Sequence, residues 1–216
     1  MCIAVVTGGP IFDEAADIVA GADTVYCADS GLDHLLRWGI KPDLFVGDMD
    51  SVSEEGALFL EHNKIPRKIF SSDKDMTDTD LVLSIIPPDS DVILICSLTG
   101  RIDHVLANLG MLVKYRESGL EITATDGITD IIPVIGENTI RIENIMNADD
   151  IVVSLVPFAN DHVKGVTTSG LHYALNDATL EAASSYGISN YPSEDSCDIE
   201  VSVRSGRLLV TLTRRV

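Results

Sequence analysis

The sequence predicts an α/β protein, with a parallel, helix-flanked sheet over residues 1–126 and an all-β second half over residues 127–216. Three observations predict it. Short apolar runs alternate with helical patterns up to residue 126, the signature of strands joined by crossover helices. The run at residues 91–96 is almost continuously apolar, as befits a parallel strand covered on both faces. Beyond Asp126 the segments turn short, β-branched and separated by turn residues.

Residues 3–6 form the first strand, followed by the Thr7-Gly8-Gly9-Pro10 loop and a helix near 13–20. A second strand, 24–28, stops at Asp29-Ser30-Gly31, and a helix over 32–38 ends at Gly39, a C′ glycine. Lys41-Pro42-Asp43 turns the chain into a strand at 44–46 that delivers Gly47-Asp48-Met49-Asp50-Ser51. Ser51 is read as the cap of a helix over 53–63, before a strand at 67–70. Thr77, with Asp80 three residues on, is a capping-box pattern for a helix stopped by Pro87-Pro88. After the strand at 91–96, Gly100-Arg101 opens a long helix in which Ile102, Val105, Leu106, Leu109, Leu112 and Val113 keep helical spacing. A strand at 121–125 completes the first half. In the second half strands are expected near 131–135, 139–142, 151–156, 163–167, 199–203 and 208–212, with a turn of helix around 179–183. No linker-like stretch divides the halves.

At 216 residues and 45% hydrophobic, the chain can bury a proper core in one domain or two. No apolar run approaches the ~20 residues of a membrane span. The start lacks a basic n-region and reads as a strand rather than a signal peptide. Cys2, Cys27, Cys96 and Cys197 are scattered, three of them in strand-like runs, which suggests free thiols in a reducing cytoplasm. With 34 acids against 15 bases, the net charge of −19 argues against a nucleic-acid surface. It suits a cationic small molecule, or an anion that arrives with its metal.

In the first half acids recur where strands end: Asp29, then Asp48 and Asp50, then Asp73 and Asp75. The ends of parallel strands share one edge, so these carboxylates can converge where open α/β sheets bind ligands. Two close carboxylates call for a hard cation such as Mg²⁺; the competing reading of Asp48-Met49-Asp50 is an Asx-type turn. Arg101 at a helix start is a phosphate-type signal. Carboxylates for a metal and an arginine at a helix start are the parts that hold a metal–polyphosphate complex. Asp78 and Asp103 sit in first helical turns, where the macrodipole alone would favour them, and His104 is either catalytic or locally bonded. His34, His62, His162 and His172 lack ligand-like spacing for zinc.

Taken together, these stretches resemble the thiamine pyrophosphokinase (thiamine diphosphokinase) family. The match rests on Ala28-Asp29-Ser30-Gly31, Gly39-Ile40-Lys41-Pro42-Asp43, Gly47-Asp48-Met49-Asp50-Ser51, Asp73-Lys74-Asp75-Met76-Thr77-Asp78 and Gly100-Arg101-Ile102-Asp103-His104 with Asn108. In the second half Gly165-Val166-Thr167, Gly170-Leu171-His172-Tyr173 and Gly187-Ile188-Ser189-Asn190 also match, in the family's order. The resemblance implies a Rossmann-like catalytic, ATP-binding domain over 1–126 and a β-sandwich for thiamine binding and dimerisation over 127–216. It implies a cytoplasmic homodimer with active sites shared between subunits. The reaction it implies is Mg²⁺-dependent transfer of the terminal diphosphate of ATP to the hydroxyl of thiamine, releasing AMP.

Carried over by position, Asp48, Asp50 and Asp75 are the expected metal and phosphate-handling acids, with Asp29 and Asp73 near them. Arg101 and Asp103 are expected nucleotide or substrate contacts, joined by Thr77, Asp78 and His104 around the cofactor. Thr167, Tyr173, Ser189 and Asn190 are the expected contribution of the second half, with Tyr173 able to stack on a thiamine ring. Two positions depart from the family pattern, since Ser30 and Thr99 stand where glycines are more usual. Two rivals remain. A haloacid-dehalogenase-like phosphatase could use an Asp-x-Asp, but that family places it on the first strand of its core domain. A non-catalytic nucleotide or thiamine sensor would differ only in lacking turnover.

Overall fold

The computed structural model describes residues 1–50, 52–70, 75–145, 150–193 and 198–215. The chain divides into two compact units, Met1–Ile128 and Thr129–Val216.

The first unit alternates β1 (Cys2–Val6), α1 (Ala15–Ala20), β2 (Thr24–Ala28), α2 (Gly31–Trp38), β3 (Leu44–Gly47), α3 (Glu54–His62), β4 (Arg67–Ile69), α4 (Asp78–Ser84), β5 (Asp91–Ile95), α5 (Ile102–Glu117) and β6 (Glu121–Thr125). The strands pair in parallel in the order β4-β3-β2-β1-β5-β6. Side chains alternate across the sheet, so Ala4 and Val6 face a core shared with Val19 of α1, Leu32 and Leu35 of α2 and Leu60 of α3. The intervening Ile3 and Val5 are also fully buried, and α4 lies against β2 and β3 while α5 lies against β6. Burial on both faces is why β1 and β5 read as almost unbroken apolar runs.

Helix ends follow local chemistry. Gly39 closes α2 at φ 68°: its own N–H reaches the Leu36 carbonyl at 3.1 Å and that of Ile40 reaches Leu35 at 2.9 Å, a Schellman arrangement. The cap of α3 is Ser53, whose hydroxyl accepts the Gly56 N–H at 3.0 Å; Ser51, the expected cap, lies outside the described residues. Thr77 caps α4 by accepting the Asp80 N–H at 3.2 Å, but only half of the capping box forms. The Asp80 carboxylate turns instead to α5, accepting from the Tyr115 hydroxyl at 2.6 Å and the Lys114 ammonium at 2.7 Å. Cys27 and Cys96 are buried free thiols; burial pushes both up, Cys96 to about 12.

In the second unit β7 (Thr129–Ile135), β13 (Arg207–Arg214) and β9 (Ile151–Pro157) run antiparallel in that order. A second antiparallel sheet has the order β11 (Ala178–Glu181), β10 (His162–Ser169), β12 (Ile199–Val203), β8 (Asn138–Ile142). One core joins the two sheets, with Val153, Leu155, Leu208 and Val210 meeting Val163, Leu180, Ile199 and Val201, so the unit is a β-sandwich. The turn of helix expected around 179–183 is instead β11: Leu180 is buried between exposed Thr179 and Glu181, and pairs with Val163.

Candidate functional site

The strand order of the first unit reverses direction beside β1, with β2 on one side and β5 on the other, and this leaves a crevice outside the strand ends. A pocket of about 420 Å³ lies there. Thr7, Gly8, Gly9 and Pro10 line it after β1, Ala28 at the end of β2 with Asp29 and Ser30 after it, and Ser97 and Thr99 after β5. Thr77, Asp78 and Thr79 join at the start of α4, and Arg101, His104 and Asn108 from α5 and its cap.

The glycine loop can form a wall because nothing stands between its backbone and the serines around it. A Cβ on Gly8 would fall 2.0 Å from Ser30 Oγ, and one on Gly9 would fall 2.9 Å from Ser97 Cβ. Ser30, where glycine is more usual, therefore fills the space above Gly8. Across the pocket the Ser97 hydroxyl donates to the Thr99 carbonyl at 2.7 Å, and the buried Asn108 amide donates to the Ser97 carbonyl at 3.4 Å. These bonds set the turn that presents Arg101.

Arg101 grips Asp103 with two donors, Nη2 to Oδ2 at 2.6 Å and Nε to Oδ1 at 3.3 Å. The bond to Arg101 holds the Asp103 carboxyl below the usual carboxylate range. Both side chains are well exposed, and exposed pairs of this kind contribute little, so a ligand oxyanion can compete for the guanidinium.

Of the residues expected from sequence, Asp29, Thr77, Asp78, Arg101 and His104 line the pocket. Asp48, Asp50, Asp75 and Asp103 are not among its lining residues. Asp48 and Asp50 follow β3, two strands from β1 and so about 10 Å along the sheet. There the Asp48 carboxylate accepts the Asp50 N–H at 3.1 Å across Met49 at φ 71°, the Asx turn that competed with the metal reading. Asp75 is exposed ahead of α4, and Asp73 lies outside the described residues. Asp29 links the two groups, since its carboxylate lies against Gly47 at the end of β3.

Among the described residues, no three His, Cys, Asp or Glu side chains group to hold a metal ion. Asp29, Asp48 and Asp50 offer carboxylates at neighbouring strand ends. One or two such oxygen donors suit Mg²⁺ when phosphates and water complete its shell.

In the second unit Tyr173 is 61% exposed and stands edge-on to His172 and Tyr191, whose rings stack at 4.5 Å and 18°. The buried Asn190 holds it there: its Oδ1 accepts the N–H groups of Tyr173 and Tyr191, and its Nδ2 donates to the Tyr173 carbonyl at 2.8 Å. Ser189, at φ 59°, is exposed with its N–H on Ser154 Oγ, and the exposed Thr167 hydroxyl accepts the Asp177 N–H.

Gly8, Gly9, Pro10 and Ser97 line the pocket although none of them is among the residues expected there. A glycine pair directly after the first strand of a parallel sheet was the available signal.

Residues 15–124 match the family described as thiamin pyrophosphokinase, catalytic domain, and residues 137–208 match its vitamin B1 binding domain. The chain belongs to the thiamin pyrophosphokinase family. Its sequence is 31% identical over 164 residues to thiamine pyrophosphokinase of Bacillus subtilis (strain 168), covering 75% of each chain. It is 25% identical over 175 residues to thiamine pyrophosphokinase 1 of Arabidopsis thaliana, covering 76% of this chain and 64% of that one. The crystal structure of the Bacillus subtilis enzyme superposes with a TM-score of 0.86 at 25% identity, covering all of both chains. The Candida albicans enzyme shares the fold at a TM-score of 0.82 and 16% identity, covering 99% of this chain and 88% of that one. Membership makes the chain an enzyme, a thiamine diphosphokinase, and a transferase. Among the described residues no helix is long and apolar enough to cross a membrane.

Proposed function

We propose that the chain transfers the terminal diphosphate of ATP to the hydroxyl of thiamine, with Mg²⁺, and releases AMP. The observation that carries this reading is the pocket at the strand-order reversal, walled by side-chain-free backbone at Gly8 and Gly9 and faced by Arg101 at the start of a 16-residue helix. Backbone of that kind admits phosphate closely, and helix start and guanidinium both favour its charge.

Asp48, Asp50 and Asp75 are assigned to metal and phosphate handling, with Asp29 and Asp73 beside them. Bound Mg²⁺ would neutralise phosphate charge during in-line transfer. Arg101 releases Asp103 to take phosphate oxygens, while Thr77, Asp78 and His104 close the pocket around the nucleotide. Thr167, Tyr173 and Ser189 face thiamine, and Asn190 sets the orientation of Tyr173. The domain over 127–216 also dimerises, giving a cytoplasmic homodimer with active sites shared between subunits. A net charge of −19 favours the approach of the thiazolium cation.

Incubation of purified protein with ATP, Mg²⁺ and thiamine tests the reaction. Thiamine diphosphate and AMP are expected in equal amounts. Thiamine-dependent ADP would point to monophosphate chemistry, and no turnover to a sensor. Sedimentation showing a monomer at micromolar concentration would contradict the shared-site dimer.

A further inference from the structure

The structure assigns His34 a positioning role: it tethers the glycine loop that walls the pocket and thereby raises nucleotide affinity without touching the nucleotide. The inference rests on reading this pocket as the ATP site.

His34 Nε2 lies 2.8 Å from the Gly9 carbonyl oxygen, and a carbonyl only accepts, so Nε2 carries the proton. Nδ1 lies 3.3 Å from Arg37 Nη2, which only donates, so Nδ1 accepts. Both ring nitrogens are thereby defined, and the imidazole is the neutral Nε2–H tautomer. Three side chains keep it in place. Arg37 Nη2 is anchored on Asp13 Oδ1 at 2.7 Å, the Trp38 indole N–H donates to the same oxygen at 2.9 Å, and the Trp38 ring stacks on His34 with centroids 5.5 Å apart.

The tethered loop needs such a hold. Gly9 adopts φ +95°, and glycine loses more conformational freedom on ordering than any other residue. The peptide unit after it belongs to Pro10, which has no N–H, so this unit can be anchored only through the Gly9 carbonyl. His34 takes that carbonyl. On its other side Gly9 meets Ser97, so the loop is held between α2 and the turn after β5. Without the bond, ordering of the loop falls to the ligand and weakens binding.

The charged groups facing the ring are Arg37 and Asp33 on its own helix and Asp13 ahead of α1. Burial, with Arg37, outweighs the Gly9 carbonyl and the two acids, all of which favour the charged ring, and holds His34 below the usual histidine range; this keeps the neutral form that the geometry requires.

The test is calorimetric titration of Mg²⁺–ATP into the full chain at pH 8, for the wild type, His34→Leu and His34→Gln, with the KM for thiamine and thermal midpoints measured alongside. Leucine keeps bulk beside Trp38 but cannot donate; glutamine can donate to Gly9 and accept from Arg37. His34→Leu is expected to weaken ATP binding roughly three- to tenfold, as one neutral hydrogen bond allows, with the KM for thiamine unchanged. His34→Gln is expected to restore most of the loss. Unchanged ATP affinity in His34→Leu would overturn the tether, as would equal losses toward ATP and thiamine that glutamine does not restore. If leucine prevents folding, a weakened His34→Gln with an intact thermal midpoint overturns it too. A wild type that binds ATP yet forms no thiamine diphosphate would refute the proposed reaction and leave the tether standing, whereas one that binds no ATP would refute the tether.

Discussion

The carboxylate of Asp29 fills the space that a side chain on Gly47 would need: a Cβ there would fall 1.8 Å from Asp29 Oδ1 and 2.8 Å from Cγ. The contact joins the ends of β2 and β3, whose backbones are linked by the Asp29 N–H and the Val46 carbonyl at 3.1 Å. Gly47→Ala should force the acid out and cost about 1–3 kcal/mol, the usual range for overpacking. Adding Asp29→Ala should recover part of that loss, because residues in contact couple. Denaturant unfolding of both single variants and the double checks this; strictly additive losses would mean that the contact carries no energy.

Arg101→Ala should lower kcat/KM for ATP by roughly a hundredfold, the scale of removing one preorganised charge-stabilising group. Arg101→Lys should recover little, since lysine cannot offer the planar fork that now grips Asp103. Thermal midpoints of both should match the wild type. A large stability loss would show Arg101 to be structural.

Asp50→Asn should abolish turnover while leaving the thermal transition nearly intact. The turn uses the Asp50 backbone N–H on the Asp48 carboxylate, which the substitution retains. Retained steady-state activity would remove Asp50 from the metal-handling group.

Acid should weaken the fold partly through His34. Burial lowers its folded-state pKa, so as pH falls through the ordinary histidine range the unfolded chain takes up the proton first and stability drops; above that range the residue contributes no pH dependence. Thermal midpoints between pH 8 and pH 5 should therefore fall less steeply for His34→Gln than for the wild type. Parallel curves would place the titration elsewhere.

Much of the fold was legible because local chemistry and tertiary context agree. Gly39 ends α2 where its position after an apolar helical run said it would, and the unbroken run before Cys96 is β5, covered on both faces. The turn of helix expected around Thr179 does not form. Asp177 instead sits at φ 49°, and pairing with β10 imposes a period of two that local propensity does not encode. The site divided in the same way. Asp29 and Arg101 announce themselves by position, one after a strand and one before a helix. The roles of Gly8 and Ser97 depend on β1 lying next to β5 in the sheet, a neighbourhood made between residues some ninety positions apart, and no local pattern reports it.

The acid that was to complete a capping box has a wider consequence. Asp80 ties α4 to Tyr115 and Lys114 in α5, and both helices begin at the pocket. Opening α4 locally would strip a charge-assisted bond from a buried tyrosine, so the two helices should unfold as one cooperative block. In hydrogen exchange, their amides would then share a single opening free energy. A ligand that holds Thr77 and Asp78 in place should therefore raise that shared free energy and slow exchange across both helices.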